Sequence, residues 1–305
     1  MGFIGGVCTH PEHRGKGLAS TILSACMNRF HTNNVDFVYI SGSRQLYYAA
    51  GANHIGSFTR FKLDATALSA ANHLRVSLRT ATQEDAELLS KLYQTEPIRF
   101  IRPRSDYQLT IEHGHCSGKA CEFQIIEIDG TPIGYMLVTK PTEREGRLSQ
   151  QVLECCGERH AVVSALSLLA SNTPPNCDLY VEVNLGDPLC QMLSSLDVVG
   201  EPIRTRGTVK ALDFCRTITK MLPYFESRMP PESVRSMEFI TAGQRYVAHS
   251  SEGILEIDGE TNMLWALLGA PPQQTIQNLR ATSQMQTLVS RCLPLPLPSL
   301  HLNMI

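Results

Sequence analysis

Apolar residues recur at every fourth position between residues 17 and 30, which places them on one face of an α-helix. Shorter apolar runs on either side of this segment are typical of buried strands. The pattern therefore predicts alternating strands and helices from the start of the chain. The predicted elements are a strand at 3–9, a helix at 17–30, a strand at 36–41, a helix at 43–52 and a strand at 54–63.

A second set of elements repeats this order, which indicates an internal duplication. A parallel strand pair joined by a crossover helix is expected around residues 148–184. The fold class is therefore α+β or α/β. The second set consists of a strand at 74–81, a helix at 82–94, a hairpin at 122–139, a strand at 148–156, a helix at 158–171, a strand at 177–184, a helix at 187–196 and a strand at 208–214.

The chain from about residue 220 follows a different pattern and predicts a small mixed α/β domain. A hairpin is expected at 245–260, an apolar segment at 262–270 and a helix at 273–290. The chain ends in LPLPLPSLHLNMI, and alternating Leu-Pro excludes a helix and favours extended or polyproline backbone.

Composition and charge narrow the range of partners. The chain has 305 residues, enough for two or three domains, and a net charge of −2. This charge predicts no bulk attraction to nucleic acid or to an anionic membrane. The sequence shows neither a signal peptide nor an apolar run of the ~18 residues needed to span a bilayer. We therefore expect a cytoplasmic protein with no nucleic-acid or membrane partner.

The ten cysteines form no CxxC pair, and several lie on predicted apolar faces. We interpret them as reduced core thiols and not as a disulfide framework. The segment HGHCSGKAC, residues 113–121, contains residue types that bind zinc, but its spacing fits no standard zinc knuckle. Its glycine and serine are typical of a loop, so we predict no metal.

The segment HRGKGLAS lies where the first predicted helix begins. A helix N-terminus carries unpaired N–H groups and partial positive charge, and both favour an anion. Gly15 and Gly17 allow close approach of the backbone to a ligand, and Arg14 and Lys16 add charge. The segment matches neither the Walker loop nor the dinucleotide-binding fingerprint. It predicts a local phosphate cradle.

These residues resemble the acyl-CoA loop of the GNAT N-acetyltransferase superfamily. Arg14-x-x-Gly17-x-Ala19 follows a Val-x-Thr-x-Pro strand end, as in that family. QLYYAAGA, residues 45–52, is similar to the family's L-Y-x-x-x-G-F helix end, although Ala52 replaces the usual aromatic residue. The resemblance covers residues 1–60 strongly and 75–215 weakly. It implies GNAT-type mixed sheets with helices on both faces, arranged in tandem units.

The resemblance also implies a mechanism, with acetyl-CoA as co-substrate and no metal or covalent enzyme intermediate. Tyr47 corresponds to the family's general acid, whereas packing is the alternative role for an aromatic residue at a helix end. Cys8 lies near the expected thioester, but we interpret its side chain as packing and not as a nucleophile. The residues expected to bind the cofactor are Val7, Cys8, Thr9, Arg14, Gly15, Lys16, Gly17, Leu18, Ala19 and Ser20.

The corresponding loop of the second copy is ECCGERHA, residues 154–161. It lacks the Arg-x-x-Gly-x-Ala order, and Glu154 and Glu158 flank the helix start. Acids suit the helix dipole but repel a pyrophosphate. We predict that this copy binds no CoA and acts as a scaffold.

The whole arrangement resembles acetyltransferases of the enhanced-intracellular-survival type. That resemblance implies half of a GNAT domain at 1–65, a degenerate GNAT domain at 75–218 and a sterol-carrier-like domain at 219–305. It also implies a small-molecule or lysine amine as acceptor, assembly into a homo-oligomer, and the carboxylate of Ile305 as a base. A terminal strand packed on the surface is the alternative for the tail.

The first unit is short compared with the family, because further strands and helices normally precede the strand that leads into the phosphate loop. We therefore expect either a fragment or a natural truncation, with an exposed strand edge and apolar face. Two functions stay open. One is an amine N-acetyltransferase; the other is a non-catalytic chain that binds acyl-CoA, acts as a scaffold or binds a lipid through its C-terminal unit.

Overall fold

The computed structural model describes residues 1–71, 74–144, 146–251 and 253–298. Short 3-10 turns precede α1 and α4. The helices are α1 (Leu18–Thr32), α2 (Gln45–Ala49), α3 (Ala65–Leu68), α4 (Ala86–Gln94), α5 (Arg104–His113), α6 (Arg159–Asn172), α7 (Pro188–Ser195), α8 (Phe214–Glu226), α9 (Pro231–Arg235), α10 (Glu260–Leu268) and α11 (Ser283–Ser290). The strands are β1 (Gly2–Ile4), β2 (Phe37–Ile40), β3 (Phe58–Leu63), β4 (Ser77–Thr80), β5 (His115–Cys116), β6 (Lys119–Ile128), β7 (Thr131–Thr139), β8 (Thr142–Arg144), β9 (Arg147–Gly157), β10 (Cys177–Asn184), β11 (Gly200–Ile203), β12 (Thr208–Ala211), β13 (Glu238–Ala242), β14 (Arg245–Ser250), β15 (Gly253–Asp258) and β16 (Leu279–Ala281).

The chain folds into two compact units that do not follow chain order. The first unit joins residues 1–57 to 203–295, and the second joins 58–202 to residues 296–298. Strand pairing is the reason, because β3 pairs with β10 and β12 pairs with β2. The predicted boundaries at 65 and 218 therefore do not coincide with the edges of the compact units.

In the first unit, β2 is the central strand between β1 and β12. It runs parallel to β1 and antiparallel to β12, and its four residues are all buried. Leu23 and Met27 of α1 pack on this sheet. The predicted helix is present, but its buried face is rotated, since Leu18 and Ile22 are 44% and 64% exposed. Phe3 on β1 is also 43% exposed.

The first unit also contains the antiparallel sheet β13-β14-β15-β16. The predicted helix at 273–290 is wrong in its first half, because Leu279–Ala281 forms a strand that pairs with β15. Only Ser283–Ser290 is helical. The apolar segment predicted at 262–270 lies largely within the buried helix α10, and α8 packs the side chains of Phe214 and Ile218 inward.

The second unit is built on the sheet β11-β3-β10-β9-β7-β6-β4. β9 and β10 are parallel and α6 connects them, which confirms the predicted crossover. Neighbouring residues of β7 alternate between the two faces, with Met136 packing beside α6 and Leu137 beside α4. This arrangement confirms mixed sheets with helices on both faces. None of the helices in the described ranges combines the length and apolar character that crossing a bilayer requires.

A fully buried ion pair lies in the core of the second unit. Arg102 donates two hydrogen bonds of 2.9 Å to the carboxylate of Glu154 on β9. The side chains are 0% and 3% exposed. Tyr135 donates to the same carboxylate at 2.7 Å, and the guanidinium lies 4.1 Å from the ring centroid of Tyr93. Glu154, which we placed at the second loop, is therefore a core residue held by Arg102 and Tyr135.

We expect Glu154→Gln to lower the free energy of unfolding by about 3–5 kcal/mol, because it leaves the Arg102 charge buried without its partner. Urea unfolding followed by circular dichroism measures the change. The double variant Glu154→Leu with Arg102→Met removes both charges and should recover most of the loss. Equal losses in the single and double variants would contradict this account.

Candidate functional site

The paired region of β1 and β2 ends sooner than the sequence predicts. The predicted strand at 3–9 is observed only over Gly2–Ile4. The last bond between these segments runs from Ser41 N–H to the carbonyl of Ile4, at 2.9 Å. Gly6 then takes a left-handed backbone, with φ +63°, and the chain turns away from β2. The two strands therefore part at their carboxyl ends.

The N-terminus of α1 opens into free space. Gly15 and Gly17 have φ values of +75° and +73°, which side-chain-bearing residues rarely adopt. A Cβ placed on either glycine would meet no atom within 4 Å, so both face open space. Gly17 caps the helix without a side-chain hydrogen bond. The first-turn N–H groups of α1 are therefore available to an anion.

The charged residues of this loop are exposed. Arg14 Nε donates to the carbonyl of Thr9 at 3.1 Å, which ties the two ends of the loop together. Lys16 is exposed beside it. Cys8 is exposed as well, so its interpretation as a packed strand residue is wrong. The cause is the early end of β1, which leaves Val7 to Thr9 outside the sheet.

The expected cofactor residues lie in one stretch of the chain, and the hydrogen bond from Arg14 to Thr9 links the segment after β1 to the loop before α1. Val7, Cys8 and Thr9 line the segment that leaves β1, and Leu18, Ala19 and Ser20 form the first turn of α1. This arrangement fits a pyrophosphate, because it offers backbone N–H groups, two cationic side chains and space where a Cβ would otherwise lie.

Tyr47 lies on α2 beside the end of β2. Its side chain is 3% exposed and belongs to the core cluster with Leu23 and Ile40. A Cβ on Gly42 would lie 3.2 Å from the Tyr47 ring, so the backbone after β2 passes directly over it. Tyr48 has a different environment and makes an edge contact with the ring of His54, with centroids 6.1 Å apart.

The other sequence-based site predictions have different outcomes. Ile305 lies outside the described residues. Within the described ranges, no group of three His, Cys, Asp or Glu side chains is arranged to hold a metal ion. Cys116 and Cys121 of the weighed zinc segment are buried in the second unit's core, next to Tyr107.

The corresponding loop of the second unit is closed by the protein's own carboxylates. Glu158 caps α6 by accepting hydrogen bonds from the N–H groups of His160 and Ala161. Glu96 accepts from Gly157 N–H at 2.7 Å and from Arg159 at 2.7 Å. A carboxylate thus lies where the first unit offers open N–H groups.

Arg159 locks this arrangement by also binding Asp187 with two 2.8 Å bonds. Burial raises the pKa of the neighbouring Cys156 thiol, so that thiol stays protonated near neutral pH. The sequence drew attention to Glu158, but Glu96 was missed because it is distant in sequence and belongs to no motif.

Comparison with known proteins identifies the class of fold. Residues 1–54 match the family model described as an acetyltransferase (GNAT) domain. No curated protein matches by sequence. These residues include both the glycine-containing loop before α1 and Tyr47, so the match supports an acyl-transfer role.

Solved structures extend the likeness along the chain. A GCN5-related N-acetyltransferase from Anabaena variabilis has a TM-score of 0.60 at 13% identity, covering 93% of this chain and 77% of that one. A probable N-acyltransferase from Enterococcus faecalis also has a TM-score of 0.60 at 13% identity, covering 97% and 80%. Eis1 from Mycobacterium abscessus is similar at a TM-score of 0.46 and 13% identity, covering 83% and 66%. The two stronger likenesses show that the chain has a GNAT-type fold.

Replacing the carboxylate that closes the second loop should destabilise the protein. We expect Glu96→Ala to cost about 1–3 kcal/mol of unfolding free energy, because Gly157 N–H and Arg159 lose a buried acceptor. Glu112→Gln, an exposed acid on α5, is the control and should change stability by less than about 0.5 kcal/mol. Denaturant unfolding measures both variants, and similar values for the two would be evidence against the role assigned to Glu96.

Proposed function

We propose that the first unit binds acetyl-CoA and transfers its acetyl group to an amine. The observation that carries this proposal is the open N-terminus of α1, capped by left-handed glycines beside the place where β1 and β2 part. The match of residues 1–54 to the GNAT domain model supports the same conclusion.

In this proposal the residues of the junction divide the binding work. Gly15, Gly17 and the N–H groups of residues 18–20 hold the pyrophosphate, with charge supplied by Arg14 and Lys16. The N–H groups of residues 7–9, which lie beyond the strand pairing, orient and polarise the acyl carbonyl. Acetyl-CoA supplies the thioester that makes the acetyl group transferable.

Tyr47 is the proposed proton donor to the departing sulfur. Its position under the backbone of Gly42 places it next to the parting strands. In the described part of the chain, its hydroxyl makes no hydrogen bond to protein, so its proton is not committed to another group. A positioned tyrosine can protonate a thiolate as the C–S bond breaks.

The proposal also includes several expectations that come from the sequence and its family resemblance. They are a small-molecule or lysine amine as acceptor, the carboxylate of Ile305 as a base, a homo-oligomer, a cytoplasmic location, a scaffold role for the second GNAT-like unit and a sterol-carrier-like C-terminal domain. The lipid-binding alternative gains no support from the described cavity in the C-terminal part. That cavity measures about 30 Å³, enough for about one water molecule.

Acetyl-CoA binding should depend on the charge and shape of the α1 junction. We expect calorimetry to detect binding by the unmodified chain and to detect none with Arg14→Glu combined with Gly17→Glu, because two carboxylates replace a cation and open space. Arg29→Glu, which makes the same arginine-to-glutamate reversal in the last turn of the same helix, is the control and should bind as the parent does. Unchanged binding by the folded double variant would refute the proposal that the loop before α1 binds the pyrophosphate.

Removing the Tyr47 hydroxyl should impair turnover but not binding. We expect Tyr47→Phe to lower kcat by about 10²–10⁴-fold, the range for loss of a general acid, with an unchanged Kd for acetyl-CoA. Tyr48→Phe is the matched control, and it should retain parent-like kcat. A steady-state thiol-release assay measures both, and equal rates for the two variants would remove Tyr47 from the mechanism.

A further inference from the structure

The loop before β12, residues 204–207, lies at the edge of the sheet where β2 ends. Thr208 is opposite Ile40 in the antiparallel pair, so the residues before Thr208 extend past the end of β2. Thr208 Oγ1 donates to the carbonyl of Gly42 at 3.2 Å. A Cβ on Gly42 would lie 3.2 Å from the ring of Tyr47, so Thr208, which follows this loop, is linked through Gly42 to the surroundings of the proposed proton donor.

Buried hydrogen bonds hold this loop in one conformation. His54 Nδ1 donates to the carbonyls of Thr205 and Gly207, at 2.8 Å and 3.0 Å. Thr205 Oγ1 accepts from Ile55 N–H at 3.2 Å and donates to Gly207 at 2.9 Å. Gly207 N–H donates to the hydroxyl of Tyr39 at 2.9 Å. The inward-facing residues are therefore fixed, and the residues between them point outward.

The outward-pointing residues are Arg204 and Arg206, both exposed. Arg44, at the start of α2 beyond Gly42, is exposed on the same edge. Within the described ranges, no carboxylate lies within 4.0 Å of any of these three guanidinium groups. At the opposite end of β2, by contrast, Asp36 is paired with Arg216 at 3.1 Å. Three exposed arginines thus flank the end of β2, two on the loop before β12 and one at the start of α2.

We propose that the acceptor amine carries an anionic group, a carboxylate or a phosphate, which Arg204 and Arg206 bind with help from Arg44. This inference rests on the proposed acetyl transfer. Arginine is suited to the task, because its planar guanidinium binds either oxyanion through paired hydrogen bonds. A rigid loop lowers the entropy cost of holding two such side chains ready. The residues that bind CoA, Arg14 and Lys16, lie in a separate loop.

The test compares amines that differ only in charge. One arm uses β-alanine against β-alaninamide, and the other uses O-phosphoethanolamine against ethanolamine. We expect the parent to favour the anionic member of at least one pair by about tenfold or more in kcat/KM. In Arg204→Gln combined with Arg206→Gln, kcat/KM for that anionic amine should fall about 10–100-fold, the range for lost hydrogen bonds to a charged group. The neutral amine should be unaffected.

Two further measurements keep the outcomes separate. Arg235→Gln, an exposed arginine on α9, is the control and should leave the preference intact. Acetyl-CoA binding by calorimetry should be the same in parent and variant, which separates this subsite from the cradle. Parent and double variant with the same charge preference, or a parent that favours the neutral amines, would overturn the inference and leave acetyl transfer standing.

Direct binding covers the case in which no acetyl transfer is detected. Saturation-transfer NMR with β-alanine and O-phosphoethanolamine then reports on the arginine loop alone. Binding that is lost in the double variant would support the anion subsite although the proposed activity had failed. Absence of binding by the parent, or equal binding by parent and variant, would overturn the subsite.

Discussion

The pairing of β2 with β12 is the constraint on which the first unit depends. β2 is buried along its whole length, and β12 supplies its second neighbour from a distant part of the sequence. Without that neighbour, β2 would have only the three residues of β1 for hydrogen bonding. The same pairing carries the 204–207 loop to the end of β2, so one strand contact both completes the sheet and shapes the edge where the chemistry is proposed.

The loop before α1 and the loop before α6 share one backbone arrangement but differ in what meets their helix N–H groups. Each follows a strand and leads into a helix whose first N–H groups need an acceptor. In the first unit, Gly15 and Gly17 leave the first N–H groups of α1 open to a ligand. In the second unit, the carboxylates of Glu96 and Glu158 accept hydrogen bonds from the N–H groups at the start of α6 and just before it. Arg159 pairs with Glu96 and neutralises its charge. A loop that is satisfied internally has little left to offer a phosphate, which is consistent with a scaffold role.

Local patterns gave good predictions where the physics is local. The helix near 17–30, the hairpin at 122–139 and the parallel crossover around 148–184 all follow from periodicity and turn chemistry. Prediction failed where distant partners decide. Leu279–Ala281 is a strand only because β15 offers an edge, and β1 is short because the chain turns at Gly6. No sequence motif marks Glu96, Arg204 or Arg206, since their roles arise from tertiary placement.

The pairing of strands that are distant in sequence has a consequence during synthesis of the chain. The hydrogen-bond partner of Tyr39 is Gly207, which is synthesised 168 residues later. The partner of Arg60 is Glu182, which follows 122 residues later. At about 5–20 residues per second, the ribosome needs on the order of ten seconds to supply these partners. The apolar strands β2 and β3 emerge early and stay without their sheets for that time. Such delays favour chaperone engagement and make the nascent chain, more than the finished protein, the stage most exposed to aggregation.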